Sequence, residues 1–442
     1  MNAKEFEKKY NLSLNQLRTS VTQFAPREES LLNNIAGKPK KLLVEIFKRF
    51  FTSWVSVLSL IVFIAILVLS IVVTAAAKYS ATVPLSQTVP IYLPDGKMLE
   101  TSSPNVQNLP PLFSPWYSSE NIPNFFKITQ EWASSDYYSG VLWNRFMYFG
   151  DDNINNAIKI VQINSDTQSV SVNAYAFLKT RNIAIALQNS GLAKDAPIDQ
   201  VNAMIDKIIA LNPQLNLSTY LGTNKDGIDI WTLSWVGTWQ AIRLAIIVAT
   251  IQTIIGVAIG AYLGFHVGSW IDTVIMRLID IFVAPPTLIW LLIFASTFGT
   301  TDLTLGVALV VIGWVGSVGS TRMFIITVKD QEYITASKSV GASKARLIYK
   351  HALPAIIGKI STSYVASIPG IIMSVSSLAF LGFFKSDQAN LGAILSSAAA
   401  QAGDNAFILV LPAMILLLIS ISLHFVALGV HDALDPKVIK TR

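Results

Sequence analysis

The sequence predicts an all-α polytopic membrane protein with about six transmembrane helices, and three observations carry that prediction. Hydrophobic residues make up 52% of the 442 residues and charged residues only 14%, with a mean hydropathy of +0.50; soluble domains carry about 25% charged residues. Apolar runs long enough to cross a roughly 30 Å hydrocarbon layer recur along the chain. The polar stretches between them change sign: basic residues dominate 38–49 and 322–350, whereas acidic residues outnumber basic ones in 78–238. By the positive-inside rule, that places both termini in the cytoplasm of a multi-pass cell-membrane protein, with 78–238 outside.

Composition also excludes several classes. The net charge of +6 does not indicate nucleic acid, because the bases flank membrane spans instead of forming one patch. Anionic membrane lipid is the expected counter-charge. The chain has no cysteine, which removes disulfides, thiolate metal sites and a cysteine nucleophile. His266, His351, His424 and His431 are too scattered to make a metal site. No Ser/His/Asp or paired-carboxylate arrangement suggests a catalytic residue, and there is no GxxxxGK[ST] phosphate loop. The expectation is therefore a non-enzymatic chain with no cofactor of its own.

Residues 1–51 read as a cytoplasmic tail ending in an amphipathic helix over 42–51, and without an opening apolar run no cleaved signal peptide is expected. The first span, 52–77, carries no charge. Residues 78–238 hold no run of membrane length. Ser169 to Phe177 alternates as a strand does, and Pro197 to Leu211 has the pattern of an amphipathic helix. Within this region, 151–233 reads as an inserted subdomain of mixed α/β or irregular structure. It is either a solvated elaboration or a surface that seats a partner.

The core transmembrane domain is expected over 239–430, followed by a cytoplasmic tail, 431–442. In its first span, 241–265, Gly256, Gly260 and Gly264 recur every four residues and form a strip where another backbone can approach. In the next, 271–298, Arg277 and Asp280 are placed to form a structural ion pair at i,i+3. Pro285 and Pro286 remove two backbone donors there and predict a break, a candidate wall of a pore. The following spans are 303–328, 354–384 and 406–430. The second of these is interrupted near Pro369 and Gly370, as a hinge or a packing kink.

Between the spans ending at 328 and starting at 354 lies a polar, basic island. Tyr333, Ile334, Ala336 and Val340 recur at helical spacing, as do Ala345, Leu347 and Ile348 beyond Gly341. Two short amphipathic helices joined at Gly341 are predicted, with Pro354 in the first turn of the next helix. A small helix-turn-helix on a membrane face, with an apolar face needing cover, is a docking element.

The order Thr335-Ala336-Ser337, Gly341, His351-Ala352-Leu353-Pro354 resembles the EAA loop of ATP-binding-cassette (ABC) importer permeases, with Thr335 and Ser337 departing from the naming residues. The longer stretch from Glu332 to Pro354 is similar to the C-type permease of dipeptide and oligopeptide importers. MRLIDIFVAPP at 276–286, SLAFLG at 377–382 and GVHDALDPK at 429–437 extend the likeness. The resemblance implies a type I ABC importer permease fold and half of a translocation pore. It also implies coupling to ATPases through the 330–354 loop, with Glu332, Tyr333, Ala336, Gly341, Ala342, Ser343, His351, Leu353 and Pro354 as the coupling residues. The implied partners are a second permease subunit, two ABC ATPase subunits that hold ATP and Mg2+, and an extracellular substrate-binding protein. Ser135-Asp136, Arg145 and Tyr148 weakly resemble the family's segment after its first helix. A nickel or other small-solute permease, a secondary transporter without ATPase partners, and an anchored receptor built around the outer region are the competing readings.

Overall fold

The computed structural model describes residues 42–85, 90–99, 106–118, 131–147, 158–164, 167–384, 389–398, 401, 403 and 405–434. The tail before residue 42, Tyr148 and the stretch from 435 onward lie outside the described residues.

A short helix, α1 (Leu42–Thr52), leads into α2 (Trp54–Ala75), which Ser53 caps by accepting from the Ser56 N–H. Five described helices are long and apolar enough to cross a membrane, six where one bent pair is counted as a span. They are α2, α6 (Ile230–Phe265), the pair α7 (Trp270–Val283) and α8 (Thr287–Phe298), α9 (Asp302–Val328), α11 (Leu353–Leu378) and α13 (Phe407–Leu434). One cluster of buried side chains, including Ile66, Ile242, Leu291, Ile312, Ile372 and Ile415, draws on every one of these spans except the α7 arm. Much of each outer face stays apolar and exposed, as a lipid-facing surface requires.

Helix α6 begins at Ile230, eleven residues before the expected start of its span, so the boundary drawn at 238/239 falls inside a helix. The cause is local. Asp229 caps the helix by accepting from the Thr232 N–H (2.9 Å) and hydroxyl (2.6 Å), and the Trp-rich first turns continue the helix without a breaker.

A mixed α/β unit lies between α2 and α6. A hairpin, β1 (Ile91–Tyr92) with β2 (Met98–Leu99), accompanies an antiparallel sheet of order β3-β5-β4, built from β3 (Trp116–Ser118), β4 (Ile158–Asn164) and β5 (Thr167–Asn173). Helices α3 (Tyr137–Phe146), α4 (Ala174–Gln188) and α5 (Ile198–Leu211) pack through Leu142, Ile183, Leu187, Val201 and Ile205. The unit therefore has a core of its own. The strand expected over 169–177 stops at Asn173, whose side chain accepts from the Tyr175 and Ala176 N–H groups and starts α4 instead. Asp136 caps α3 and Arg145 pairs with Asp206.

Candidate functional site

The basic island between α9 and α11 takes its shape from one turn. Helix α10 (Glu332–Ser339) ends at Val340, and Gly341 follows in the left-handed region at φ +86°. Its N–H donates to the Lys338 carbonyl (3.0 Å) and that of Ala342 to the Ser337 carbonyl (3.1 Å), the paired bonds of a Schellman ending. A Cβ at Gly341 would meet nothing within 4 Å, so glycine is needed here for its backbone conformation and not for space. Ser343 then caps the next turn by accepting from the Arg346 N–H.

The second helix of the expected pair is not a separate element. The turn Lys344–Arg346 runs through a π-helical stretch, Leu347–Ala352, straight into α11. Pro354, expected in the first turn of a new helix, instead lies inside this continuous helix, just after its π-helical stretch. The basic island is thus one short helix plus the extended foot of a membrane span.

Burial divides the island into a root and a free face. Ile334 is 2% exposed and packs with Leu347, Ile348 and Ile356 against Ala261 of α6 and Ile325 of α9. Tyr333, Ala336 and Val340, which shared the predicted apolar pattern, point outward instead, Val340 being 90% exposed. Lys338, Lys344, Arg346 and Lys350 are exposed beside them, as are Glu332, Gly341, Ser343 and Pro354. Ala342, His351 and Leu353 are half-buried. Partial burial raises the Tyr333 phenol above its ordinary pKa.

The two spans above this root are held by features of unequal legibility. Gly256, Gly260 and Gly264 face α9, and a Cβ on any of them would run into Ser317, Val318, Thr321 or Ile325. Beside them Arg322 of α9 makes two hydrogen bonds to Asp272 of α7, Nε to Oδ1 at 2.7 Å and Nη2 to Oδ2 at 2.9 Å. The Asp272 side chain is 4% exposed and also accepts from the Gly268 N–H. Sequence reasoning missed this pair, because its members are 50 residues apart and only the fold brings them together. The pair it selected, Arg277 and Asp280, stands at 3.6 Å with both side chains largely exposed.

Pro285 and Pro286 lie at a 74° bend between α7 and α8. The Trp290 indole donates to the Phe282 carbonyl at 3.0 Å and stacks on the Phe282 ring. Pro369 and Gly370, by contrast, lie inside the continuous α11. The interruption comes later, at a π-helical stretch Ala379–Phe383 containing Gly382 at φ +84°. A proline can be carried inside a long membrane helix whose neighbours hold it, so an internal Pro-Gly does not by itself end one. Among the described residues, no three His, Asp or Glu side chains are grouped to hold a metal ion.

Residues 256–440 match the family model described as binding-protein-dependent transport system inner membrane component. That likeness covers less than half of the chain. The chain is 29% identical to the oligopeptide transport system permease protein OppC of Mycoplasma pneumoniae, over 92% of its own length and 94% of the relative's. It is 36% identical to the OppC protein of Mycoplasma genitalium over 51% of its length, covering 61% of that relative. The dipeptide transport system permease protein DppC of Lactococcus lactis is 28% identical over 38% of this chain, covering 49% of its own. The family model begins within α6, whereas the M. pneumoniae match is long enough to include most of the α/β unit.

Proposed function

We propose that this permease is one half of the translocation pore of an ATP-driven importer for oligopeptides or dipeptides. The observation that carries the reading is the island at 331–354: a closed turn at Gly341 presents an exposed basic and apolar face, while Ile334 roots that face in α6 and α9. A push on it would pass directly to two spans and, through the continuous foot, to a third. Its partners would be a second permease subunit, two ATPase subunits that bind ATP and Mg2+, and an extracellular substrate-binding protein. The basic island then faces the cytoplasm and the α/β unit faces outward, in a cell membrane whose lipid covers the exposed apolar faces. ATP-driven closure of the ATPases would shift the helices between inward-open and outward-open packings.

The names of the relatives support peptides as the substrate class. The test is affinity purification of the tagged permease in mild detergent. Recovery of two nucleotide-binding subunits and a sister permease, with ATP hydrolysis, is the expected result. Recovery of the permease alone, with transport driven by an ion gradient, would replace the reading with a secondary transporter.

A further inference from the structure

We propose that Gln401 and Asn405 are positioning residues that tie the α/β unit to the outer ends of α6 and α13, so that these three parts move as one body during transport. The proposal rests on the importer reading for its direction of motion. Its evidence is a junction at the opposite end of the molecule from the basic island.

The loop 219–229, which leads from the α/β unit into α6, is stitched on both sides. On the side of the unit, the Thr223 N–H donates to the Leu109 carbonyl and that of Asn108 to the Asn224 carbonyl, both at 3.0 Å. The Tyr175 hydroxyl, which donates to the Pro110 carbonyl at 2.7 Å, is also hydrogen-bonded to the Thr219 hydroxyl at the start of the loop. On the side of the spans, the Ile230 N–H returns to the Gly222 carbonyl at 3.1 Å, so the loop is closed against the first turn of α6.

Two buried amides then join this loop to the corner before the last span. Gln401 is 6% exposed; its Oε1 accepts from the Lys225 N–H (2.8 Å), and its Nε2 donates to the Ser397 carbonyl (2.8 Å) of helix α12 (Leu391–Ala398). Asn405 is 8% exposed; its Nδ2 donates to the Leu221 carbonyl (2.7 Å), and its Oδ1 accepts from the Phe407 N–H (3.1 Å) in the first turn of α13. Each side chain uses both ends of its amide, one towards the loop and the other towards α12 (Gln401) or the first turn of α13 (Asn405). A buried amide with both ends matched resists displacement, because separation leaves polar groups without partners.

The junction leaves no room to slip. Gly222 has φ +84°, and a Cβ there would run into the Leu109 carbonyl, the Pro110 backbone and the Asn405 amide together. Beside it, Phe113 meets Phe407 edge to face at 5.4 Å between centroids. A force applied to the α/β unit, as by a protein seating on it, therefore reaches the ends of two spans without a flexible linker between.

The test uses the absence of cysteine from the chain. In the whole complex in lipid vesicles, Leu221→Cys with Asn405→Cys removes the amide link and supplies two thiols for a short bifunctional thiol reagent. Before cross-linking, the expected result is at least a fivefold loss of uptake and of the stimulation of ATP hydrolysis by the binding protein, with basal hydrolysis unchanged. Cross-linking should restore both to within twofold of the parent. Uptake that stays low or falls further on cross-linking would overturn the proposal, as would parental uptake before it. If that pair fails to assemble, Gln401→Met decides: at least a threefold loss of stimulation is expected, and no loss overturns the proposal. A parent complex without ATP-driven uptake would instead overturn the importer reading, and the proposal with it.

Discussion

The two ends of this permease handle their polar groups in opposite ways. At the α/β end, Gln401 and Asn405 are buried with both ends of their amides bonded within the chain, and Gly222 is wedged between the Leu109–Pro110 backbone and Asn405. At the end of the basic island, Gly341 stands in open space, four bases are exposed, and Val340 offers nearly its whole surface to solvent. A surface that could have been covered by its own chain and is not is suited to a partner from outside. On the proposed reading, the closed end would carry displacement within the chain and the open end would receive it.

The sharpest way to break this comparison is to attack what links the ends, the α6–α9 pair. A Cβ at Gly260 would lie 2.8 Å from the Thr321 Cβ and against the backbone of Val318, which cannot swing aside. Gly260→Val is expected to cost more than about 3 kcal/mol, as severe overpacking does, and to abolish accumulation of folded permease. Size-exclusion profile and thermal unfolding in detergent measure it. Next comes the Asp272–Arg322 bridge. Asp272→Leu should cost about 3 kcal/mol, the low end for a broken buried pair, because Arg322 keeps some access to water. Adding Arg322→Met should recover most of that loss, and a double variant worse than the single one would show that the pair is not the cause.

Smaller effects separate the two kinds of glycine. Gly341→Val should cost about 1–2 kcal/mol of local backbone strain and leave the fold intact, since no neighbour is met. Uptake should nevertheless fall at least tenfold, while Gly341→Asn, which tolerates the left-handed region, should stay close to the parent. Normal uptake by the valine variant would remove the docking role.

The smallest effect is expected at Asp229, whose carboxyl is pushed above its usual range by burial despite its bonds to Thr232. For a raised carboxyl, the protonated form is favoured by folding. Its contribution is complete below the unfolded value of 3.8 and is lost as pH rises through the folded one. Asp229→Asn keeps the cap and removes the charge, so it should unfold at an equal or higher temperature at pH 7, with the advantage shrinking as pH falls towards 4. An advantage that grew on acidification would contradict the sign.

Most of the membrane architecture was legible in the sequence, because apolar runs of membrane length can serve few other purposes and the glycine strip states its own period. The Gly341 turn was legible for a similar reason: a lone glycine between two amphipathic patterns has few conformational uses. What escaped depended on contacts distant in sequence. Asp272 reads as an ordinary acidic residue near a helix start until Arg322 is folded beside it. The start of α6 at Ile230 escaped because hydropathy marks the lipid-embedded part of a helix and not its capped, tryptophan-rich extension. Continuity across Pro369 escaped because a proline's effect is decided by its neighbours, which no local pattern records.

The elbow at Pro285 and Pro286 has a mechanical meaning that its prolines alone would misstate. In an unbroken helix, residue 286 would donate to the carbonyl of Phe282, and proline has no proton to give. Trp290 supplies the missing donor from the far side of the bend, and its ring is stacked on that of Phe282. The prolines decide where the chain turns, and the tryptophan braces the angle. An elbow braced in this way behaves as a bracket and not as a bearing: a load on either arm is carried round the bend instead of being absorbed by a change of angle.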